Sequence, residues 1–220
     1  MSVARTLLAA SVGAFGATSL AFADTPAPAT GSLTIAYAAE STMMDVTRAA
    51  AGVDWYILGN INEQLLQPNP DLEVENWLAE KWETGEKDGK PFIEIWLRKG
   101  VKFHHGGELT SKDIVFAQKR LSDPDVSKWP HYQAKVDRVE VIDDHHLIIH
   151  FNAPDALYLA GSGLMRLWGV SKDYYESHTD QEIQAQPDGT GPWKFISRKI
   201  KEEFVLEALS LIHISEPTRR

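Results

Sequence analysis

The sequence has no cysteine, so disulfides, a thiolate nucleophile and thiolate metal sites are all excluded, and an exported domain built from it must be held by its core. It also lacks G-x-S-x-G, G-x-x-x-x-G-K-[ST] and H-E-x-x-H, and Gly189 and Gly191 lack the third glycine of a dinucleotide turn. Hydrolysis through a nucleophile elbow, P-loop phosphate chemistry and zincin peptidase chemistry are therefore excluded. Ser162, between Gly161 and Gly163, has no placed base, and Asp143 and Asp144 are turn neighbours that read as solvated rather than as an acid and a base. Basic residues are in deficit, 22 against 31 acidic, and the net charge of −9 argues against polyanionic partners. No Lys/Arg patch with interleaved aromatics offers a nucleic-acid face, and anionic lipid would repel the chain. Beyond residue 23 no apolar run is long enough to span a membrane.

What is present is an ordinary globular composition, 43% hydrophobic and 24% charged, enough for one large or two small domains. Arg5, the apolar stretch 7–22 and the small-x-small triplet Ala21-Phe22-Ala23 form an export signal with the mature chain starting near Asp24. Ser11, Gly13, Gly16, Thr18 and Ser19 interrupt the stretch and no charged stop-transfer cluster follows, so a membrane anchor fits less well. Residues 24–32, DTPAPATGS, are a linker. The eight histidines invite a metal, but His104-His105 and His145-His146 are neighbours that point to opposite faces of a strand. His146 and His150 share a face without a third ligand, so no metal and no cofactor is expected.

Leu33, Ile35 and Tyr37 alternate with smaller or polar residues and predict a first strand. Residues 54–66 predict a helix with Asp54 as N-cap and Trp55, Leu58, Ile61, Asn62 and Leu65 at helical spacing, closed by Pro68. A Pro-Asn-Pro-Asp turn, a short strand and a strand through Trp82 follow, and the turn cluster 84–90 joins that strand to one carrying Ile93, Ile95 and Leu97. The stretch 98–121, RKGVKFHHGGELTSKDIVFAQKRL, holds a strand end, a short strand over 101–103, the Gly106-Gly107 turn and a helix start. Thr110 or Ser111 caps that helix, and Asp113 completes a capping box ahead of Ile114, Val115, Phe116, Ala117 and Leu121. Residues 122–130 predict a loop. Val139 and Val141 form a hairpin with Leu147, Ile149 and Phe151; a short helix over 154–160, a strand over 164–170 and a helical turn over 172–177 come next. Gly189-Thr190-Gly191-Pro192 opens a strand that pairs with 204–207.

The order RKGVKFH, G, LT, D, IVF, RL resembles the signature of family 5 extracellular solute-binding proteins, the peptide- and nickel-binding subunits of ABC importers. Asn60, Glu63, Leu65, Pro70, Asp71, Leu72, Val74, Leu78, Ala79, Glu80 and Trp82 match the segment N-I-x-E-x-L-x-x-x-x-P-D-L-x-V-x-P-x-L-A-E-S-W-E, and 189–195 with 205–208 match G-T-G-P-Y-K-F and V-L-E-A, Trp193 replacing Tyr. Departures are His105 where the family has Asp, Glu108 where it has Pro, and AESTMMDV where it has A-E-P-x-x-L-D-P.

The resemblance implies a mixed α/β, periplasmic-binding-protein-like fold of type II, incomplete here: a large lobe from 33–60 and 152–208, a small lobe from 61–151, and an absent third lobe. It implies a monomeric periplasmic receptor that catalyses nothing, holds a di- or oligopeptide or another small solute between lobes, and hands it to an ABC permease. Carried over by position, Ala49, Ala50, Ala51, Gly52 and Val53 match the ligand-facing loop and Trp55 flanks it, while Arg166 and Trp168 lie where some members contact ligand. A tight loop, a surface arginine and a core tryptophan are the plainer readings of the same residues. An exported carbohydrate-binding or carbohydrate-active fragment is the alternative function, and a pair of carboxylates across one cleft would mark it.

Residues 209–220, LSLIHISEPTRR, fit no continuation of the family pattern and resemble translated sequencing-adapter read-through, so a native chain interrupted near Ala208 is expected. A parallel or mixed sheet ending at 204–207 would then leave edges and apolar surface open. Expressed alone, the 220-residue chain is expected to be poorly soluble; a cooperative melt with monomeric behaviour in size-exclusion chromatography would count against this.

Overall fold

A computed structural model describes residues 31–159 and 163–209. The signal segment 1–23, most of the linker, residues 160–162 with the Gly161-Ser162 pair, and the tail from 210 onward lie outside the described residues.

The first helix, α1 (Gly52–Ile61), starts two residues earlier than the pattern predicted. Asp54 sits inside its first turn rather than at its N-cap. Its buried carboxylate accepts the amides of Ala51 (3.0 Å), Ala50 (3.4 Å) and Thr42 (3.2 Å) and the Ser41 hydroxyl (2.8 Å), so one side chain shapes both approaches to the helix. The far end is set by tertiary contact. Gly191 N–H donates to the Ile61 carbonyl at 2.8 Å, and Asn62 leaves the helix in extended conformation with its side chain on the Asp188 carbonyl. A Cβ at Gly189 would lie 2.2 Å from that Ile61 oxygen, so the G-T-G turn can approach the helix end only without side chains.

Leu65 and Leu66, predicted helical, instead lead into β1 (Leu66–Pro68), which pairs with β2 (Val74–Asn76) around a turn organised by the Asn69 side chain. β3 (Ala79–Lys87) and β4 (Lys90–Leu97) run well into the predicted turn cluster, because Asp88 and Gly89 at φ 54 and 74 make a two-residue turn of type I′. β5 (Val136–Asp143) and β6 (His146–Phe151) complete a four-stranded sheet in the order β3-β4-β6-β5, every pair antiparallel. β7 (Trp193–Lys199) and β8 (Glu203–Ala208) form a separate antiparallel hairpin. The parallel or mixed sheet expected at this hairpin is absent among the described residues.

The stretch 98–121 behaves much as its residues predict. α2 (Ser111–Ser122) opens on the capping box, with Thr110 N–H and hydroxyl donating to Asp113 Oδ2 at 2.8 and 2.9 Å. The strand expected over 101–103 reduces to one bridge between Lys102 and Glu108 around Gly106 at φ 106. The two departures from the family pattern that lie in this turn, His105 and Glu108, find partners. His105 donates its backbone N–H to Asp188 Oδ1 at 3.1 Å and its ring Nδ1 lies 2.9 Å from Oδ2, while Glu108 accepts from Lys102 (2.7 Å) and from Gly100 N–H (3.0 Å). The Lys102 bond, then the Gly100 amide, pull the Glu108 carboxyl down to about 2.

Three further expectations change. Residues 33–38 form no strand, since no described strand pairs with them; Leu33 is 83% exposed and Tyr37 stacks on Tyr56. A strand exists only where a neighbour takes up its amides and carbonyls. Within the predicted loop over 122–130 and just past it, Pro130–Gln133 winds into a 3-10 turn. The predicted strand over 164–170 is a 3-10 turn, Leu164–Arg166, followed by one bridge from Trp168 to Gln64. Leu164, Leu167, Trp168 and Val170 are buried while Met165 and Arg166 are half-buried, a pattern without the alternation of a strand. The helices α3 (Ala156–Leu159) and α4 (Lys172–Ser177) agree with expectation, whereas α5 (Asp180–Ala185), capped by Thr179 and Glu182, was missed.

Two apolar clusters result. One fills the inner side of the four-stranded sheet with Ile93, Ile95, Leu97, Leu147, Ile149 and Phe151; the other gathers Met44, Val46, Leu58, Ile61, Val170 and Phe195. α2 serves both, giving Ile114 and Leu121 to the first and Ala117 to the second. From the same helix Arg120 reaches the buried Asp45 at 2.6 Å, and Thr47 and the Tyr175 hydroxyl bond the other oxygen of that carboxylate. Arg120→Met would strand Asp45 without its cation, and the complete gene product is expected to lose about 3–5 kcal/mol in urea titration.

Candidate functional site

Trp55, Arg166 and Trp168 come from distant parts of the chain and line one hollow of about 280 Å³, together with Gln64 and Met165. Trp55 projects from the first turn of α1 and lies against Trp168, ring centroids 5.6 Å apart and planes 12° from parallel. Trp168 is held by backbone bonds on either side, Leu65 N–H to the Leu167 carbonyl and Gly169 N–H to the Glu63 carbonyl, both 2.9 Å. The Gln64 side chain donates to the Met165 carbonyl and ties the floor of the hollow together.

Arg166 is placed by aromatic faces. Its guanidinium lies 4.4 Å from the Trp129 ring centroid and 4.5 Å from that of Tyr132, one within the predicted loop over 122–130 and the other just past it. Trp129 is in turn fixed by its indole N–H, which donates to the Ala49 carbonyl at 3.0 Å. A Trp and a Tyr three positions apart around Pro130 could have signalled a turn presenting two rings, but nothing local names their guest.

The loop assigned to ligand by position is arranged differently. Ala49 is completely buried in the second cluster. Its amide bonds Asp45, and the amides of Ala50 and Ala51 are spent on Asp54, so these backbone donors do not face outward. Ala50, Ala51 and Gly52 are exposed and Val53 is half-buried, and none of the five lines the hollow. The loop reaches the hollow through Trp129. A larger space, about 480 Å³, lies along α2 among Lys119, Val126 and Val141, and is lined by none of the residues expected to contact ligand.

The histidines are spoken for singly: His146 by Glu94 at 2.7 Å, His150 by Glu140 at 2.8 Å, and His145 by Glu108 at 3.2 Å. Among the described residues no group of three His, Cys, Asp or Glu is placed to hold a metal ion. No described helix is long and apolar enough to cross a membrane.

Beside the hollow, Glu63 accepts the Trp77 indole N–H at 2.8 Å. Burial raises its carboxyl above the ordinary glutamate value of 4.5, the Trp77 bond and Arg98 only partly opposing it. A raised carboxyl costs the folded state stability as pH climbs from that value through the folded one. Glu63→Gln keeps an acceptor for Trp77 and is expected to melt higher than the parent at pH 7, the two converging below pH 4.5; equal melting at both pH values would contradict this.

Comparison with known proteins agrees with this architecture. Residues 73–209 match the family described as bacterial extracellular solute-binding proteins, family 5 Middle. Heme-binding protein A of Haemophilus influenzae is 34% identical over 149 residues, 58% of this chain and 27% of that protein. Dipeptide-binding protein DppE of Bacillus subtilis is 35% identical over 185 residues, 76% of this chain and 34% of its own length. Among solved structures, the periplasmic binding protein DppA from Helicobacter pylori, in complex with the peptide STSA, superimposes with a TM-score of 0.66 at 27% identity, over 78% of this chain and 38% of that one. The chain therefore spans about a quarter to two fifths of the length of these relatives. With the matching motifs, the shared mixed α/β fold and a match over most of its described residues, the chain belongs to the family 5 bacterial extracellular solute-binding proteins.

Proposed function

We propose that the protein containing this chain is the solute-binding subunit of an ABC importer, capturing a di- or oligopeptide or a similar small solute outside the inner membrane and delivering it to a permease. Capture is by binding alone, without cofactor or catalysis. In this reading residues 1–23 direct export to the periplasm and are removed, and the mature protein acts as a monomer. Residues 33–60 with 152–208 belong to a large lobe, 61–151 to a small lobe, and ligand is closed in by a third lobe through hinge motion.

One observation carries the reading within this chain: Trp55 and, more than a hundred positions further on, Arg166 and Trp168 converge on a single hollow in a chain of a solute-binding family. Flat apolar faces with one charged group are what a solute pocket needs, the rings giving contact area and the charge giving orientation. Of the loop Ala49 to Val53, Ala49 contributes by holding Trp129, which lies against Arg166. The carbohydrate reading asked for two carboxylates across a cleft, whereas this hollow is lined by Trp55, Gln64, Met165, Arg166 and Trp168.

Isothermal titration of the complete gene product with di-, tri- and tetrapeptides tests this. Saturable binding at micromolar or lower Kd is expected for at least one length class. Heme is titrated in parallel, because one relative is named for binding it. Retention on a glycan array with no peptide or heme binding would overturn the proposal.

A further inference from the structure

His104 holds the turn at 188–191 from two sides. Its backbone N–H donates to the Gly189 carbonyl at 2.9 Å, and its ring Nε2 lies 2.8 Å from the Gly191 carbonyl. A carbonyl can only accept, so Nε2 carries the proton and the neutral ring keeps its lone pair on Nδ1. Nδ1 is buried and has no hydrogen-bond partner among the described residues. The turn passes this grip on to α1. Gly191 N–H donates to the Ile61 carbonyl at 2.8 Å, the Asn62 side chain donates to the Asp188 carbonyl at 2.9 Å, and a Cβ at Gly191 would lie 2.5 Å from the Asn60 carbonyl oxygen. One imidazole therefore links the turn after β4 to the helix that carries Trp55 to the hollow.

Protonating such a ring puts a second N–H at Nδ1, where nothing accepts it, and leaves a charge in a place taken from water. Burial is the largest influence and holds the ring below the ordinary histidine value of 6.5, the Gly191 bond only partly opposing it. Two charges face the ring from the segment 188–199, Asp188, which favours the cation, and Lys194, which opposes it; from its own turn His105 opposes it too. The stability that neutral His104 contributes is present above 6.5 and is lost as pH falls from that value through the folded one. We propose that His104 is an acid-labile clasp: neutral, it locks the turn 188–191 onto the end of α1, and protonated, it releases them. Acid then loosens the frame of the hollow from behind, through a residue that does not line it.

The test uses the complete gene product with no solute added, so its outcome is independent of the solute-binding reading, and compares wild type with His104→Gln and His105→Gln. Glutamine at 104 keeps an N–H for the Gly191 carbonyl but cannot take up a proton. Thermal melts at pH 7.5 first establish that the variants fold. Hydrogen–deuterium exchange read by mass spectrometry at pH 7.5 and pH 5, corrected for the intrinsic dependence of exchange on pH, then follows peptides covering 102–108 and 186–192. Wild-type protection there is expected to drop roughly 5- to 10-fold at pH 5, the scale of a buried polar group left unsatisfied, while H104Q keeps the same protection at both pH values. H105Q retains His104 and is expected to show the wild-type drop. Glu63, whose raised carboxyl stabilises the fold as pH falls, acts alike in wild type and H104Q and cancels between them. Should H104Q fail to fold, a wild-type drop confined to these peptides and kept by H105Q supports the clasp. Wild-type protection unchanged between the two pH values, a drop that H104Q shares in full, or a drop that H105Q abolishes overturns it.

Discussion

The buried ion pair of Asp45 and Arg120 is the constraint on which the described structure turns. A carboxylate at 2% exposure is tolerable only if every oxygen is used, and here Arg120, the amide and hydroxyl of Thr47 and the hydroxyl of Tyr175 use both. The same environment pushes the Tyr175 hydroxyl well above its ordinary value, through burial first and the Asp45 charge next. Three segments are fixed by this pair: the turn at 45–49, the last turn of α2, and α4. Because the turn leads directly to Ala49 and the start of α1, the geometry of the hollow is inherited from a salt bridge that does not touch it.

α2 is the shared wall. Its capping box sets where it begins, and Asp113 also receives the Lys172 amide at 2.8 Å, so a local helix-start signal doubles as a long-range tie to α4. One face of the helix closes the antiparallel sheet and another closes the cluster beneath α1. The two departures from the family's turn, His105 and Glu108, make sense within the same framework. Each acquires a partner of opposite character, Asp188 for one and Lys102 for the other, and the turn keeps its frame.

The hollow that forms the candidate site was legible in part. Trp55, Arg166 and Trp168 could be named from their positions in the family pattern, and the fold brings them together. Ala49 to Val53 were named on the same basis, and the amides of Ala49, Ala50 and Ala51 turn inward onto Asp45 and Asp54. Small residues before a helix start look alike in sequence whether their backbone faces a solute or a buried carboxylate. Trp129 and Tyr132 were passed over because an aromatic beside a proline carries no information about what will lie on its face. Their importance arises only when 166 is folded against them.

The sequence by itself determined whatever depends on near neighbours: the α2 capping box, the tight turns, the alternation that builds the four-stranded sheet, and the family to which the whole order of motifs points. Tertiary structure decided where α1 ends, because a glycine amide from residue 191 captures its last carbonyl. It also decided that residues 33–38 do not form a strand and that 164–170 bends, since pairing and burial depend on distant segments. The same holds for Arg166: a lone cation is an ordinary letter in the chain, and its setting exists only when two rings and a hollow are placed around it.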